Sequence, residues 1–469
     1  MTVDVLIVGA GPAGLSAAAE LRRLGVGSVL VCDREAELGG IPRHSMHTGY
    51  GLRDLRRIMT GPAYARRLVL LAEAAGAELR AGTTVTGLDP AGPAARLTSA
   101  AGRETVRTRA VLLATGCRER PRAARLVPGD RPAGVMTTGE LQQRVYLSGE
   151  RLPGPAVVVG AEHVSFSAAV TLAHAGAKVA ALVTEYPHQQ SYAAFRLGAA
   201  VRWRVPVWTS ASVHRVTGRG RLDGVEIMDL VSGAVRFVPC RTLVFTGDWI
   251  PDHELARTSG LDLDPGTRGP AVDTALRTSA AGVFLAGVFA AGNLVHAVET
   301  ADVAALSGRH AGRQIASALA SADTGHVARL PVVVEPPLRW ISPNAIDALG
   351  TPPALNRFTL RSSEFRTLVR LEVRQDERRL FRSRPVRLIP GRPAHLRADW
   401  LARVDPAGGS VSVAIGLSGQ LPGHYRLETF PLPYRPDRLG STGSTPQLRP
   451  GGVDDQATGV LSAWIGGDP

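Results

Sequence analysis

Three glycines, Gly9, Gly11 and Gly14, are spaced as G-x-G-x-x-G directly after the apolar run VDVLIVGA and at the head of the helix-forming LSAAAELRRLG. In such a turn the first glycine permits a tight reversal and the second lets a pyrophosphate reach the backbone. The third lets helix and strand pack closely. Pro12 and Ala13 open the helix, whose free N–H groups and dipole favour a phosphate. Roughly 20 residues further on, Asp33 and Arg34 end a second apolar run, where the Asp33 carboxylate can accept hydrogen bonds from ribose hydroxyls. A glycine-rich turn alone is common, but strand, turn, helix, second strand and terminal acid together specify dinucleotide binding.

A second turn of this kind starts at Gly160 and continues Ala161-Glu162-His163-Val164-Ser165. Only the first glycine is kept. Ala161 narrows the backbone approach, and Glu162 adds negative charge where a pyrophosphate would lie. The expectation for NAD(P) is weak binding there or none, although Glu185 ends the next strand and can still meet a ribose. The three cysteines, Cys32, Cys117 and Cys240, are far apart and form no C-x-x-C pair or metal-ligand spacing. No Ser/His/Asp constellation is visible, so neither a metal centre nor serine hydrolysis is expected.

The elements that must hold these turns suit a multi-domain chain, since 469 residues exceed a single core. The opening reads βαβ, and near residue 156 the pattern restarts as AVVVGAEHV, SFSAAVTLAHAG and AKVAALVTE. The fold class is α/β, with two Rossmann-like dinucleotide-binding domains and a small C-terminal β domain. The boundaries are 1–125 with 245–322 for the discontinuous first domain, 126–244 for the inserted one and 323–416 for the β domain. Residues 417–469, rich in Gly, Pro and Ser and without periodicity, read as a flexible tail. The formal charge of +13 is almost all arginine, with Lys178 the single lysine, and it is scattered over every segment. That distribution argues against a nucleic-acid partner. No apolar run reaches the roughly 20 residues of a membrane span, and no leader precedes the first strand, so cytoplasm without membrane insertion is expected.

Gly39-Gly40 shortly after the acid, the strand-plus-turn Ala114-Thr115-Gly116 and the late GVFAAGN together resemble the two-dinucleotide-domain flavoproteins of the pyridine-nucleotide disulfide oxidoreductase type. The resemblance covers roughly residues 1–320 and implies FAD as cofactor. By that resemblance the FAD contacts come from Gly9, Gly11, Pro12, Ala13 and Gly14, then Asp33, Arg34, Gly40 and Ile41. The backbone of Val85 would meet adenine, and Ala114, Thr115 and Gly116 would lie along the cofactor. Gly292 and Asn293 would serve the flavin-side phosphate and ribitol. Asn293 stands where the family has an aspartate, Val288 being the alternative by spacing from Thr278. The segments GGIPRHSMHTGYG and GCRERPRAARLVPGDRPAGVMTTGELQ are similar to FAD subunits of multi-component amine-oxidising enzymes of the sarcosine oxidase, opine oxidase and cyanide synthase type.

In disulfide reductases a reactive cysteine pair follows the Gly-Gly pair, whereas this chain has Ile41 through His47 and no thiol. Without a dithiol relay, disulfide reduction is excluded. The resemblance places His44, His47 and His296 nearest the flavin ring, where an imidazole can take a proton while flavin takes the hydride. Arg43 can anchor a substrate carboxylate or a phosphate, and a helix carrying His296 and Glu299 would aim its positive end at the flavin. The function expected is an FAD-dependent dehydrogenase or oxidase component acting on a small amine, amino-acid-like or hydroxy substrate. It would pass electrons to a partner flavoprotein or iron–sulfur subunit. The alternatives are an NAD(P)H-dependent flavin reductase component and a non-catalytic flavin-binding subunit of an assembly.

Overall fold

Near-continuous apolar runs such as Val5–Val8 and Val29–Cys32 pair as parallel strands, because a strand covered on both faces carries no polar alternation. A computed structural model of the chain describes residues 1–191, 205–281, 283–297, 299–321, 329–347 and 349–416. In the first domain the strand order is Arg277–Ala280, Val283–Ala290, Gly102–Leu113, Thr2–Val8, Val29–Cys32 and Glu78–Arg80, with the hairpin Thr84–Asp89 and Ala94–Ser99 leaning on Gly102–Leu113. The helices Pro12–Arg23 and Ala301–Ala320 pack closely, since a Cβ on Gly308 would stand 2.0 Å from the carbonyl oxygen of Ala13.

The inserted segment builds its own parallel sheet in the order Val135–Thr137, Thr242–Phe245, Ala156–Val159, Val179–Val183 and Val207–Trp208. The helix His163–His174 follows its glycine turn, and Leu172, Ala168 and Phe166 bury its apolar face in a separate core with Val158 and Val244. An antiparallel meander, Ala211–Thr217, Gly224–Asp229 and Val235–Pro239, completes it. The architecture is therefore mixed α/β with parallel sheets of Rossmann type.

From Arg329 to Gly416 the described residues are mainly strands with two short 3-10 helices, in a sheet built around Arg329–Val334, Val411–Gly416 and Arg366–Gln375 and a second of Leu338–Ser342, Arg357–Ser362 and Ala394–Arg397. Its core is centred on Phe358 stacked on Trp400, ring centroids 5.2 Å apart. A buried ion cluster ties it to the first domain. Asp273, with no exposed surface, accepts from Arg329 Nε at 2.6 Å and Arg277 Nη1 at 3.5 Å, and Arg277 reaches Asp347 at 3.4 Å. Residues 417–469, the expected tail, lie outside the described residues. Among the described residues no helix is long and apolar enough to cross a membrane.

Candidate active site

All three parts of the chain line one cleft of about 2680 Å³. At one end lies the first glycine turn. Gly9, at φ +107°, holds a reversal in which a Cβ would stand 2.5 Å from the Ala114 carbonyl oxygen. A Cβ on Gly14 would stand 1.9 Å from Gly9 O, which is the close helix–strand contact. A Cβ on Gly11, by contrast, meets no protein atom within 4 Å. The helix begun there by Pro12 has no side-chain cap and no acidic residue in its first turn. Its free N–H groups thus face the cleft with no side-chain cap among the described residues. These features fit the pyrophosphate of FAD, which Gly11, Pro12 and Ala13 would hold.

Asp33 lines the cleft, yet its carboxylate is already occupied in part. Oδ2 accepts from the Ala10 backbone N–H at 2.7 Å and Oδ1 from that of Glu35 at 2.9 Å, so it also locks the turn. Arg34 lies at the rim, largely exposed, and pairs with Asp252 at 3.1 Å. Gly40, Ile41, Val85, Ala114, Thr115 and Gly116 all line the same cleft. Gly14 and Gly292 do not line it. Gly292, at φ +70°, is buried where a Cβ would stand 2.7 Å from Ala13 Cβ, so it packs the opening helix rather than facing the cofactor.

Asn293 lines the cleft, with its amide turned back on the chain. Nδ2 donates to the Glu299 carbonyl at 3.1 Å, and Oδ1 accepts from the Glu299 N–H at 2.9 Å. This clamp closes a loop over residues where a helix was expected, and the helix starts only at Ala301 behind Thr300. Val288, the alternative by spacing, is fully buried within the sheet opposite Val111. His296 sits in that loop, outside the cleft, and packs on Trp340 of the β domain at 5.4 Å. Burial, with Arg361 nearby, holds its imidazole down to about 3.

His44 and His47 do line the cleft. The Gly40 turn leads into the short helix Ile41–His44, which buries Pro42 and His44 and leaves Ile41 about half exposed. The Nδ1 atom of His44 is buried without a hydrogen-bond partner, and burial lowers its pKa to about 4. His47 is better placed for proton transfer. A carbonyl can only accept, so Nδ1–H donates to Thr48 O at 2.9 Å and Nε2 keeps its lone pair. The ring stacks on Tyr50 at 5.2 Å, and burial lowers its pKa as well. Arg43 does not reach across the cleft. It bonds to the Glu37 carbonyl and pairs with Glu35 at 3.6 Å.

The second glycine turn is filled from within. The Glu162 carboxylate folds back over it, with Oε1 2.5 Å from the Thr246 hydroxyl, which in turn lies 2.6 Å from Ser165 Oγ. Gln190 N donates to Ala161 O at 3.1 Å, and Ser191 Oγ lies 3.3 Å from His163 Nδ1, laying a strap over the same turn. Gln190 Nε2 also reaches Pro390 O of the β domain at 3.0 Å. Cys117 lines the cleft, but burial pushes its thiol well above the usual range, so no thiolate is on hand.

Sequence reasoning passed over Arg357 and His395, which the β-domain strands Arg357–Ser362 and Ala394–Arg397 carry into the cleft, Arg357 near enough to Glu299 to lower its carboxyl against the effect of burial. No motif or spacing links these positions to the glycine turns; only the docking of the third unit brings them there.

An opine oxidase subunit of Agrobacterium tumefaciens (strain Ach5) is 28% identical over 317 residues, 61% of this chain and 60% of that protein. The like-named opine oxidase subunit of Rhizobium meliloti is 26% identical over 385 residues, 74% of this chain and 69% of that protein. The chain thus spans about 60% of the length of the Agrobacterium protein. Thioredoxin reductase of T. acidophilum shares the fold at a TM-score of 0.55 and 22% identity, covering 68% of this chain and 99% of that one. The model of the family described as pyridine nucleotide-disulphide oxidoreductase matches residues 3–308. That match takes in both nucleotide turns and the late glycine motif, so the chain belongs to the pyridine nucleotide-disulphide oxidoreductase family.

Proposed function

We propose that the protein is the FAD-bearing dehydrogenase or oxidase component of a multi-component enzyme, taking electrons from a small amine, amino-acid-like or hydroxy substrate. The observation that carries this reading is the second nucleotide turn, where Glu162, Thr246 and Ser165 bond to one another and the Glu162 carboxylate stands at the N-cap of the helix His163–His174, a charge unfavourable to a nicotinamide dinucleotide's phosphates. A flavin enzyme closed to NAD(P)H in that turn must be reduced by another donor. FAD, when bound, supplies a two-electron acceptor for the hydride released as the substrate C–H bond breaks. The Nε2 lone pair of His47 takes the proton from the substrate nitrogen or oxygen, and the Thr48 carbonyl holds the ring in that tautomer. Tyr50, stacked on that ring, and the buried His44 keep bulk water from this wall of the cleft.

The electrons leave to a partner, a flavoprotein or an iron–sulfur protein. Support comes from the relatives, which are themselves named as subunits of opine oxidases. The test is anaerobic mixing of the FAD-loaded protein with secondary amines, amino acids and hydroxy acids, followed at the flavin absorbance. Bleaching by one of these classes is expected. A flavin that none of them reduces, alone or with co-purified partners, would favour the reading as a non-catalytic flavin-binding component.

A further inference from the structure

Most charged side chains in the cleft are already committed. Arg34 and Arg118 pair with Asp252 at 3.1 and 3.6 Å, Arg43 with Glu35 at 3.6 Å and Arg53 with Asp302 at 3.3 Å. Arg357 and Glu299 differ. Arg357 is half-buried on its β-domain strand and makes no side-chain hydrogen bond or ion pair with any described residue. Glu299 has its Oε1 buried without a hydrogen-bond partner, while Asn293 fixes its backbone on both sides. The two opposite charges influence each other, and burial raises the Glu299 carboxyl, yet they do not close into an ion pair. Leaving a desolvated guanidinium and carboxylate apart is costly unless a ligand completes them.

We infer that Arg357 and Glu299 together receive a zwitterionic, amino-acid-like substrate, the guanidinium taking its carboxylate and Glu299 its ammonium group. This rests on the amine-oxidising reading above and adds that the β domain completes the substrate site. The planar guanidinium offers two parallel N–H donors to a carboxylate, which a decarboxylated amine cannot use. Asn293 acts here as a positioning residue, holding the backbone from which Glu299 projects.

The test measures binding apart from turnover. N-methylglycine and L-proline are titrated into FAD-loaded protein by calorimetry, beside their decarboxylated counterparts dimethylamine and pyrrolidine. The amino acids should bind more tightly than the amines, and Arg357→Leu should remove that advantage, a loss of roughly tenfold or more, while amine binding holds. Glu299→Gln should weaken both sets. Full FAD content in each variant shows that it folds, and if Arg357→Leu loses FAD, Arg357→Lys carries the test with an intermediate loss expected. An unchanged ratio of amino acid to amine affinity in the Arg357 variant, or no binding of either amino acid to the wild type, would overturn the inference. Amino acids that bind but never reduce the flavin count against amine oxidation and leave the site standing. Bleaching that both substitutions leave untouched does the reverse.

Discussion

A methyl group added at Gly11 would meet nothing of the protein, while one added at Gly14 would collide with the Gly9 carbonyl 1.9 Å away. Two glycines three residues apart thus serve different ends, and their substitution should separate them. Gly11→Val is expected to fold with wild-type circular dichroism and to purify colourless, because its side chain takes the room of the pyrophosphate. Gly14→Ala should instead lose folded protein, since helix and strand must part. A yellow Gly11→Val protein would refute the placement of the cofactor. His47 and His44 separate in a similar way. His47→Ala should retain FAD but lower substrate-driven reduction by roughly 10²-fold, as expected for loss of a general base. Both imidazoles are depressed below 6.5, His44 to about 4, so they stay neutral and competent at neutral pH. Any loss of rate from their protonation should appear only below pH 6.5, as measured by flavin bleaching across a pH series.

The helices Pro12–Arg23 and Ala301–Ala320 cross where Gly308 and Gly312 face Ala13 and Ala17, with Cβ approaches of 2.0 and 3.1 Å to the backbone oxygens. A branched side chain there must push the helices apart. Gly308→Val should therefore destabilise the first domain by about 1–3 kcal/mol or more and weaken FAD retention with it, read by thermal melting and flavin release. Wild-type melting in that variant would show the contact to be slack. The opening βαβ unit was legible in the sequence because its pattern is local: an apolar run, glycines at fixed spacing and a terminal acid within 33 residues. The loop before Ala301 was not. ETADVAALSG reads as helix from its first residue, but the Asn293 side chain captures the Glu299 backbone and delays the start. The family resemblance puts His296 beside the flavin, whereas tertiary packing turns it onto Trp340. Arg357 and His395 reach the cleft through the docking of a separate β unit, which no local pattern encodes.

At the scale of the whole molecule, three depressed histidines sit at the seams between its parts. His44 lies by Gln142 of the inserted domain, His163 by the strap that reaches the β domain, and His296 against Trp340. Burial lowers them to about 4, 4 and 3 from 6.5. As pH falls below 6.5 the unfolded chain binds protons that the folded seams exclude, so stability drops until the folded values are reached. Each contributes up to about 1.4 kcal/mol per pH unit over that window. The melting temperature should fall steadily from pH 6.5 towards 4, and a flat profile between pH 7 and 5 would count against buried neutral imidazoles at these seams.

The same seams bear on which donor reduces the flavin, because the strap over the Gly160 turn is pinned to Pro390 of the β domain. Rapid mixing of the FAD-loaded protein with NADH or NADPH under anaerobic conditions tests this most directly. With the Glu162 carboxylate held over the turn by Thr246, micromolar NADH or NADPH should leave the flavin oxidised, or reduce it only slowly and at millimolar levels. Fast, saturable bleaching at micromolar NADH or NADPH would contradict the account and make the protein a nicotinamide-dependent flavin reductase.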